Sequence, residues 1–253
     1  MCIVSFAWQA HPQWALIAIG NRDEMHARPA EALSRWDQPS HLLAGRDSQA
    51  GGTWLGVSEQ GRLAVVTNLS SGEAPDPHRA SRGDLLKDFL SGEGRYSDLD
   101  TVDFSTFNPF NLISVSAGEA TIHSNQPGVG SKPLAPGIHG LSNGPLDNPW
   151  PKTWHLNSVL ADWIQHDAKD PSALLMPLRD ETSFAPSSLF ESQDPSEQEP
   201  QNSGIFIRSS IYGTRCSTVV AIDNEGRGRA VERRFDPTGH PTGETVLDFT
   251  WPV

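Results

Sequence analysis

The stretch Met1-Cys2-Ile3-Val4-Ser5-Phe6-Ala7-Trp8, followed across Ala10-His11-Pro12-Gln13 by Trp14-Ala15-Leu16-Ile17-Ala18-Ile19-Gly20-Asn21-Arg22-Asp23-Glu24, decides the fold. Two runs of β-branched and aromatic residues on either side of a polar turn read as an antiparallel hairpin, with strands over residues 3–9 and 14–22. In such a pair the start of one strand lies beside the end of the next. Cys2 therefore comes close to Arg22 and Asp23. A small residue at position 2 favours removal of Met1, which leaves a thiol and a free α-amine on one residue. That amine has a reference pKa of about 7.7–8.0, near enough to neutral to serve as general base. Nucleophile and base are then aligned without a second side chain. Arg22 would lower the thiol pKa and Asp23 would orient the amine. The competing reading of Cys2 is a small buried hydrophobe that starts a strand.

The sequence outward from the hairpin supplies further strands and the polar residues at their ends. Residues 42–45 form a short strand, 53–58 and 62–68 a hairpin, and 111–116 and 120–125 another. Ser81-Arg82-Gly83-Asp84 opens a helix with Leu85, Leu86, Phe89 and Leu90 on one face and Gly92 as its stop. Residues 138–141 are a strand ending in Ser142-Asn143-Gly144-Pro145. Residues 152–168 form the clearest helix, with Trp154, Val159, Leu160, Trp163 and Ile164 as its apolar stripe, and 172–178 a weaker one. The polar segment 192–203 reads as a surface loop. Strands return at 205–209, 218–222, 228–235 and 245–249. This order implies an α+β fold, a four-layer αββα sandwich of two mostly antiparallel sheets, in a single domain spanning residues 1–253.

Asn68 and Asn143 each end an apolar strand, where a rigid sheet presents side chains to a site. An Asn amide, or a backbone N–H beside it, can stabilise an oxyanion; each is also an ordinary turn residue. Arg215, in Tyr212-Gly213-Thr214-Arg215, suits a carboxylate or an acyl oxygen, or an acidic neighbour.

Composition narrows the function classes. The chain has 253 residues, 19 basic and 31 acidic, with a formal net charge of -12. Such a balance disfavours nucleic acid and anionic membranes as partners. Cys2 and Cys216 are too few for a disulfide framework. The N-terminus lacks a secretory signal pattern, and no apolar run is long enough for membrane insertion, so a cytoplasmic location is expected. The histidines show no metal-ligand spacing, so no metal site is expected. Phosphate-loop, dinucleotide and Gly-x-Ser-x-Gly patterns are absent.

At these residues the chain resembles the NRDE family, also called the transport and Golgi organisation 2 family. The resemblance is carried by Met1-Cys2-Ile3, Asn21-Arg22-Asp23-Glu24, Gly45-Arg46-Asp47, Gly51-Gly52-Thr53-Trp54-Leu55-Gly56 and Thr67-Asn68. It continues in Leu141-Ser142-Asn143-Gly144-Pro145, Trp150-Pro151-Lys152, Tyr212-Gly213-Thr214-Arg215 and Glu232-Arg233-Arg234-Phe235. That family is similar to the N-terminal-nucleophile (Ntn) hydrolases, such as penicillin V acylase and bile-salt hydrolase. The resemblance implies Cys2 as nucleophile and base, Arg22 and Asp23 beside it, Asn143 as oxyanion donor, and Asn68 and Arg215 as weaker matches. Those acylases separate the Arg and Asp by two residues. Here they are adjacent and face opposite sides of a strand, so one of them faces Cys2 unless the strand ends there. Two functions are implied. One is hydrolysis of a linear amide of a small or lipid-like substrate, which requires no cofactor. The other is non-catalytic carriage of haem, or of an acyl lipid.

Overall fold

The computed structural model describes residues 2–70, 72, 74–146, 148–166, 169–183 and 204–252. Met1 and the polar segment 192–203 lie outside them. Strands β1 (Cys2–Trp8) and β2 (Trp14–Met25) form the expected hairpin, in register from Cys2 opposite Arg22 to Trp8 opposite Leu16. They share a six-stranded antiparallel sheet with β10 (Gly137–Leu141), β11 (Tyr212–Asp223), β12 (Arg227–Phe235) and β13 (Pro241–Thr250), in the order β10-β1-β2-β11-β12-β13. The second sheet is a seven-stranded meander in chain order. It comprises β3 (Ala30–Arg35), β4 (Leu42–Asp47), β5 (Leu55–Ser58), β6 (Arg62–Asn68), β7 (Phe110–Ser116), β8 (Glu119–Ser124) and β9 (Gly130–Pro133).

Side-chain alternation along the strands sorts the core into layers. Val4, Phe6, Leu16, Ala18 and Val220 face Leu43, Val57, Leu63, Val65 and Ile113 between the sheets. Their neighbours Ile3, Ala7, Ile17, Ile19 and Val219 face outward, against Leu156 and Leu160 of helix α2 (Pro151–His166) and Leu174, Leu175 and Leu178. On the other sheet Leu42, Ala44, Ala64 and Val66 face Leu85, Leu86, Phe89 and Leu90 of helix α1 (Arg82–Ser91). The four layers are those of an αββα sandwich. Helix α1 starts and stops as its sequence requires. Ser81 accepts the Asp84 N–H at its N-terminus, and Gly92, at φ 75°, closes the other end.

Five elements differ from the sequence reading. Strands β3 and β9 lack the apolar alternation that marks a strand. Only Leu33 is buried in β3, and all of β9 is exposed at the sheet edge. Residues 205–209 are not a strand. Ile205 and Phe206 are buried as irregular chain, Phe206 edge-on to Phe235 at 4.9 Å, and that plugging accounts for their apolar character. The segment 172–178 forms two 3-10 turns, Pro171–Leu175 and Pro177–Arg179. In α2 the buried stripe runs through Lys152, Thr153, Leu156 and Leu160, while Trp154 is 54% exposed. Among the described residues no helix is long and apolar enough to cross a membrane.

His123 of β8 is buried between Ser114 and Ser131, with hydrogen bonds of 2.8 Å to each hydroxyl. Burial pulls its pKa down from 6.5 to about 4, against a small opposing pull from Asp100. The folded chain therefore keeps His123 neutral where the unfolded chain protonates it. Its contribution is complete above pH 6.5 and is lost as pH falls through the folded value of about 4. Urea midpoints at pH 7 and pH 4.5 should show wild type losing up to about 3 kcal/mol more than His123→Gln. Equal acid losses in the two proteins would contradict this.

Candidate active site

Cys2 opens β1 directly opposite Arg22. Alternation puts Arg22 on the inter-sheet side, where Cys2, Val4, Gly20, Arg22, Trp54 and Val65 line a cavity of about 10 Å³, the size of one water. Asp23 turns to the opposite face, towards the α2 layer, where Thr214 and Lys152 lie. Arg22 therefore shares the Cys2 cavity, and the Asp23 side chain does not line it. Burial raises the thiol pKa, as does the Asp23 charge; the Asp23 N–H and Arg22 pull it down, and the net shift is upward. Such a thiol is protonated near neutral pH and needs a base to react.

The Cys2 nitrogen donates to Asn143 Oδ1 at 3.1 Å. Asn143 Nδ2 donates in turn to the Asn68 carbonyl at 2.6 Å, and the Asn143 carbonyl accepts from Ser70 N at 2.8 Å. The ends of β10 and β6 are thus tied together across the nucleophile. Among the described residues one of the two N–H groups on the Asn143 amide nitrogen is taken by the Asn68 carbonyl. The side chain of Asn143 also fixes the Cys2 nitrogen, and Asn68 contributes through its backbone.

Arg22 is held on two sides. Its guanidinium carbon lies 4.4 Å from the centroid of the Trp54 ring, and Nη2 donates to Asp47 Oδ2 at 3.4 Å. Its side chain is only 4% exposed, and Nη1 is buried with no hydrogen-bond partner among the described residues. A buried donor of this kind is costly and calls for an explanation. Gly45 makes the stack possible: a Cβ there would lie 2.4 Å from the Trp54 ring. Asp47 also accepts from Arg28 Nε at 2.7 Å and from the backbone of Gln49 and Ala50. Burial works against its charge, but Arg28 and those N–H groups hold its pKa below the usual carboxylate value.

Asp23 accepts from Thr214 Oγ1 at 2.6 Å, and its carbonyl accepts from the Tyr212 hydroxyl at 3.0 Å. Burial raises its pKa, while Thr214, Lys152 and Arg22 pull it down. Lys152, fully buried in the first turn of α2, is the cation beneath it. Opposite Arg22 and Asp23 the β11 strand carries a bulge, because Thr214 pairs with Asp23 and Cys216 with Arg22. Arg215 is the extra residue and leaves the pairing pattern. Its Nη1 donates to the carbonyls of Met25, His26 and Arg28, which fastens the turn after β2. The structure therefore brings together Cys2, Arg22, Asp23, Asn143 and the Asn68 backbone. Arg215 lies beside them on β11, where its Nη1 bonds brace the strand that carries Arg22 and Asp23.

Asp47, Trp54, Lys152 and Thr214 were not singled out from sequence, although each lies inside a stretch that carries the family resemblance. Among the described residues no group of three His, Cys, Asp or Glu side chains is placed to hold a metal.

The chain is 31% identical to the mouse Transport and Golgi organization 2 homolog over 92% of each chain, and 29% identical to the human homolog over the same shares. Its fold is similar to that of an N-acylethanolamine-hydrolyzing acid amidase ortholog from Caenorhabditis elegans. That likeness has a TM-score of 0.51 and 11% identity, and covers 86% of this chain and 92% of that one. It is a likeness of fold alone, an αββα sandwich of the Ntn-hydrolase type. A family model described as Transport and Golgi organisation 2 matches residues 1–237, and the chain belongs to that family.

Proposed function

We propose that the protein hydrolyses a linear amide with Cys2 as nucleophile, once Met1 is removed. One observation carries the reading. A thiol and a buried, unpartnered Arg22 donor line the same cavity, while the nitrogen that becomes the α-amine is already held by Asn143. The amine takes the proton from Sγ, and the sulfur attacks the amide carbon. Arg22 Nη1 neutralises charge on the tetrahedral oxygen. The C–N bond breaks as the ammonium returns its proton to the leaving nitrogen, and a thioester remains. Water, deprotonated by the same amine, then releases the acid and the thiol. Asp23 holds the amine, and Lys152 and Thr214 hold Asp23. Asn143 positions, and Arg215 braces.

Iodoacetamide tests the nucleophile directly. Cys2 is half-buried, whereas Cys216 is 4% exposed and burial, with Glu232 beside it, pushes its thiol pKa well up. One adduct, on Cys2, should form in the native protein, and hydrolysis of a panel of N-acyl amides should stop in proportion. Labelling of Cys216 first, or turnover that survives full labelling of Cys2, would count against the mechanism. No amide turnover together with saturable haem binding in the Soret region would move the function to haem carriage.

A further inference from the structure

Asn68 belongs to two spaces. Its carbonyl is part of the chain of hydrogen bonds that ends on the Cys2 nitrogen, and the residue also lines a cavity of about 550 Å³. The walls of that cavity include Leu69, Pro75, Phe107 and Pro109, with Arg79 and Arg82 as its cations.

The two arginines are differently employed. Arg79 Nη1 donates to the carbonyls of Ser105 and Phe107, and its Nε lies 3.9 Å from Asp76. Arg82 is half-buried and makes one hydrogen bond, from Nη1 to the Pro109 carbonyl at 2.9 Å; among the described residues it has no ion-pair partner. Burial lowers its pKa, against an opposing pull from the Glu24 charge.

Its position is fixed from behind. Gly52 and Gly83 meet so closely that a Cβ on Gly52 would lie 2.2 Å from the Gly83 backbone, and Thr53 N donates to the Gly83 carbonyl at 3.3 Å. The next residue, Trp54, is the platform under Arg22. The first turn of α1 is therefore locked to the wall of the Cys2 cavity. A guanidinium held there, with donors to spare, suits a planar carboxylate.

We infer that this cavity receives the amine side of the substrate, and that Arg82 binds a carboxylate carried close to the scissile bond. The substrate class is then an N-acyl amino acid. Its α-carboxylate lies three bonds from the carbonyl carbon that Cys2 attacks, and an apolar side chain rests against Leu69 and Pro109. The assignment of the ligand as a substrate rests on the hydrolase reading; the carboxylate site does not.

The test uses Cys2→Ala protein, so that binding is measured without turnover. N-acetylphenylalanine should bind roughly tenfold more tightly than N-acetylphenylalaninamide by calorimetry. Arg82→Met should bring the two to within about twofold, with the amide little affected, and Arg82→Lys should keep part of the preference. Equal binding of the two ligands in the parent, no binding of either, or a preference that survives Arg82→Met would each overturn the site. The two readings fail separately. Arg82-dependent binding with no amide turnover in wild type would sink the hydrolase and leave the carboxylate site standing. Turnover of neutral amides with no carboxylate preference would do the reverse.

Discussion

Cys2→Ala will lower amide turnover by roughly 10⁴-fold or more and leave the fold intact. The size of the loss follows from what the residue does. Removing the sulfur removes the thioester route, and neither Arg22 nor Asn143 can supply a replacement nucleophile. The α-amine of the variant would still be held by Asn143, because that bond uses the backbone nitrogen of the second residue and not its side chain. The structural penalty is small. The lost sulfur is a half-buried group beside a cavity, and its removal costs about 1 kcal/mol or less. Turnover assayed alongside thermal denaturation separates the two effects. Retained activity at an unchanged melting temperature would place the chemistry elsewhere.

Arg22→Met should reduce turnover about 10²–10³-fold, the range for loss of one oxyanion donor. Met keeps an apolar stem over Trp54, so packing is largely preserved. Asp47 is not orphaned, since Arg28 and two backbone N–H groups remain. Stability should change by about 1 kcal/mol in either direction, because an unpartnered buried N–H disappears together with an ion pair. A residue of purely structural importance would not alter the chemistry of the thiol. Arg22 pulls the Cys2 pKa down, so its loss should move the pH profile of Cys2 alkylation to higher pH. An unchanged alkylation profile with normal turnover would remove Arg22 from the mechanism. Arg22→Lys should rescue little, since an ammonium cannot spread over the Trp54 ring and reach Asp47 as a planar fork does.

The hairpin was legible because the apolar runs of β1 and β2 fix both period and register, and that register alone puts Cys2 against Arg22. Helix α1 was legible from its cap, its apolar face and its terminal glycine. What stayed hidden was decided by contacts between distant segments. The adjacency of Arg22 and Asp23 reads as an obstacle, since strand geometry predicts opposite faces. The faces are indeed opposite: Arg22 lines the Cys2 cavity, while Asp23 turns to Thr214. The structure sets Asn143 at the nucleophile, but which of its two amide atoms is spent depends on the Asn68 carbonyl, which no local pattern announces. Arg215 sits in a bulge, where its Nη1 serves three carbonyls, and a single extra residue in a strand carries no periodic signal. Ile205 and Phe206 read as strand because they are apolar, yet the Ile205 carbonyl accepts from the Asn21 side chain and Phe206 N donates to the Asp180 carbonyl.

The sheet order has a consequence for how the chain is made. Strands β1 and β2 emerge first from the ribosome, but their flanking partners are β10 and β11, at residues 137–141 and 212–223. Until those arrive, an apolar two-stranded ribbon exposes both edges, and an exposed edge invites pairing with another chain. The meander β3–β9 pairs only with its own neighbours and can close in the meantime. Nascent chains halted before Tyr212 should therefore aggregate through the β2 edge, and the reactive cysteine should become competent only when the segment from Tyr212 onward has docked.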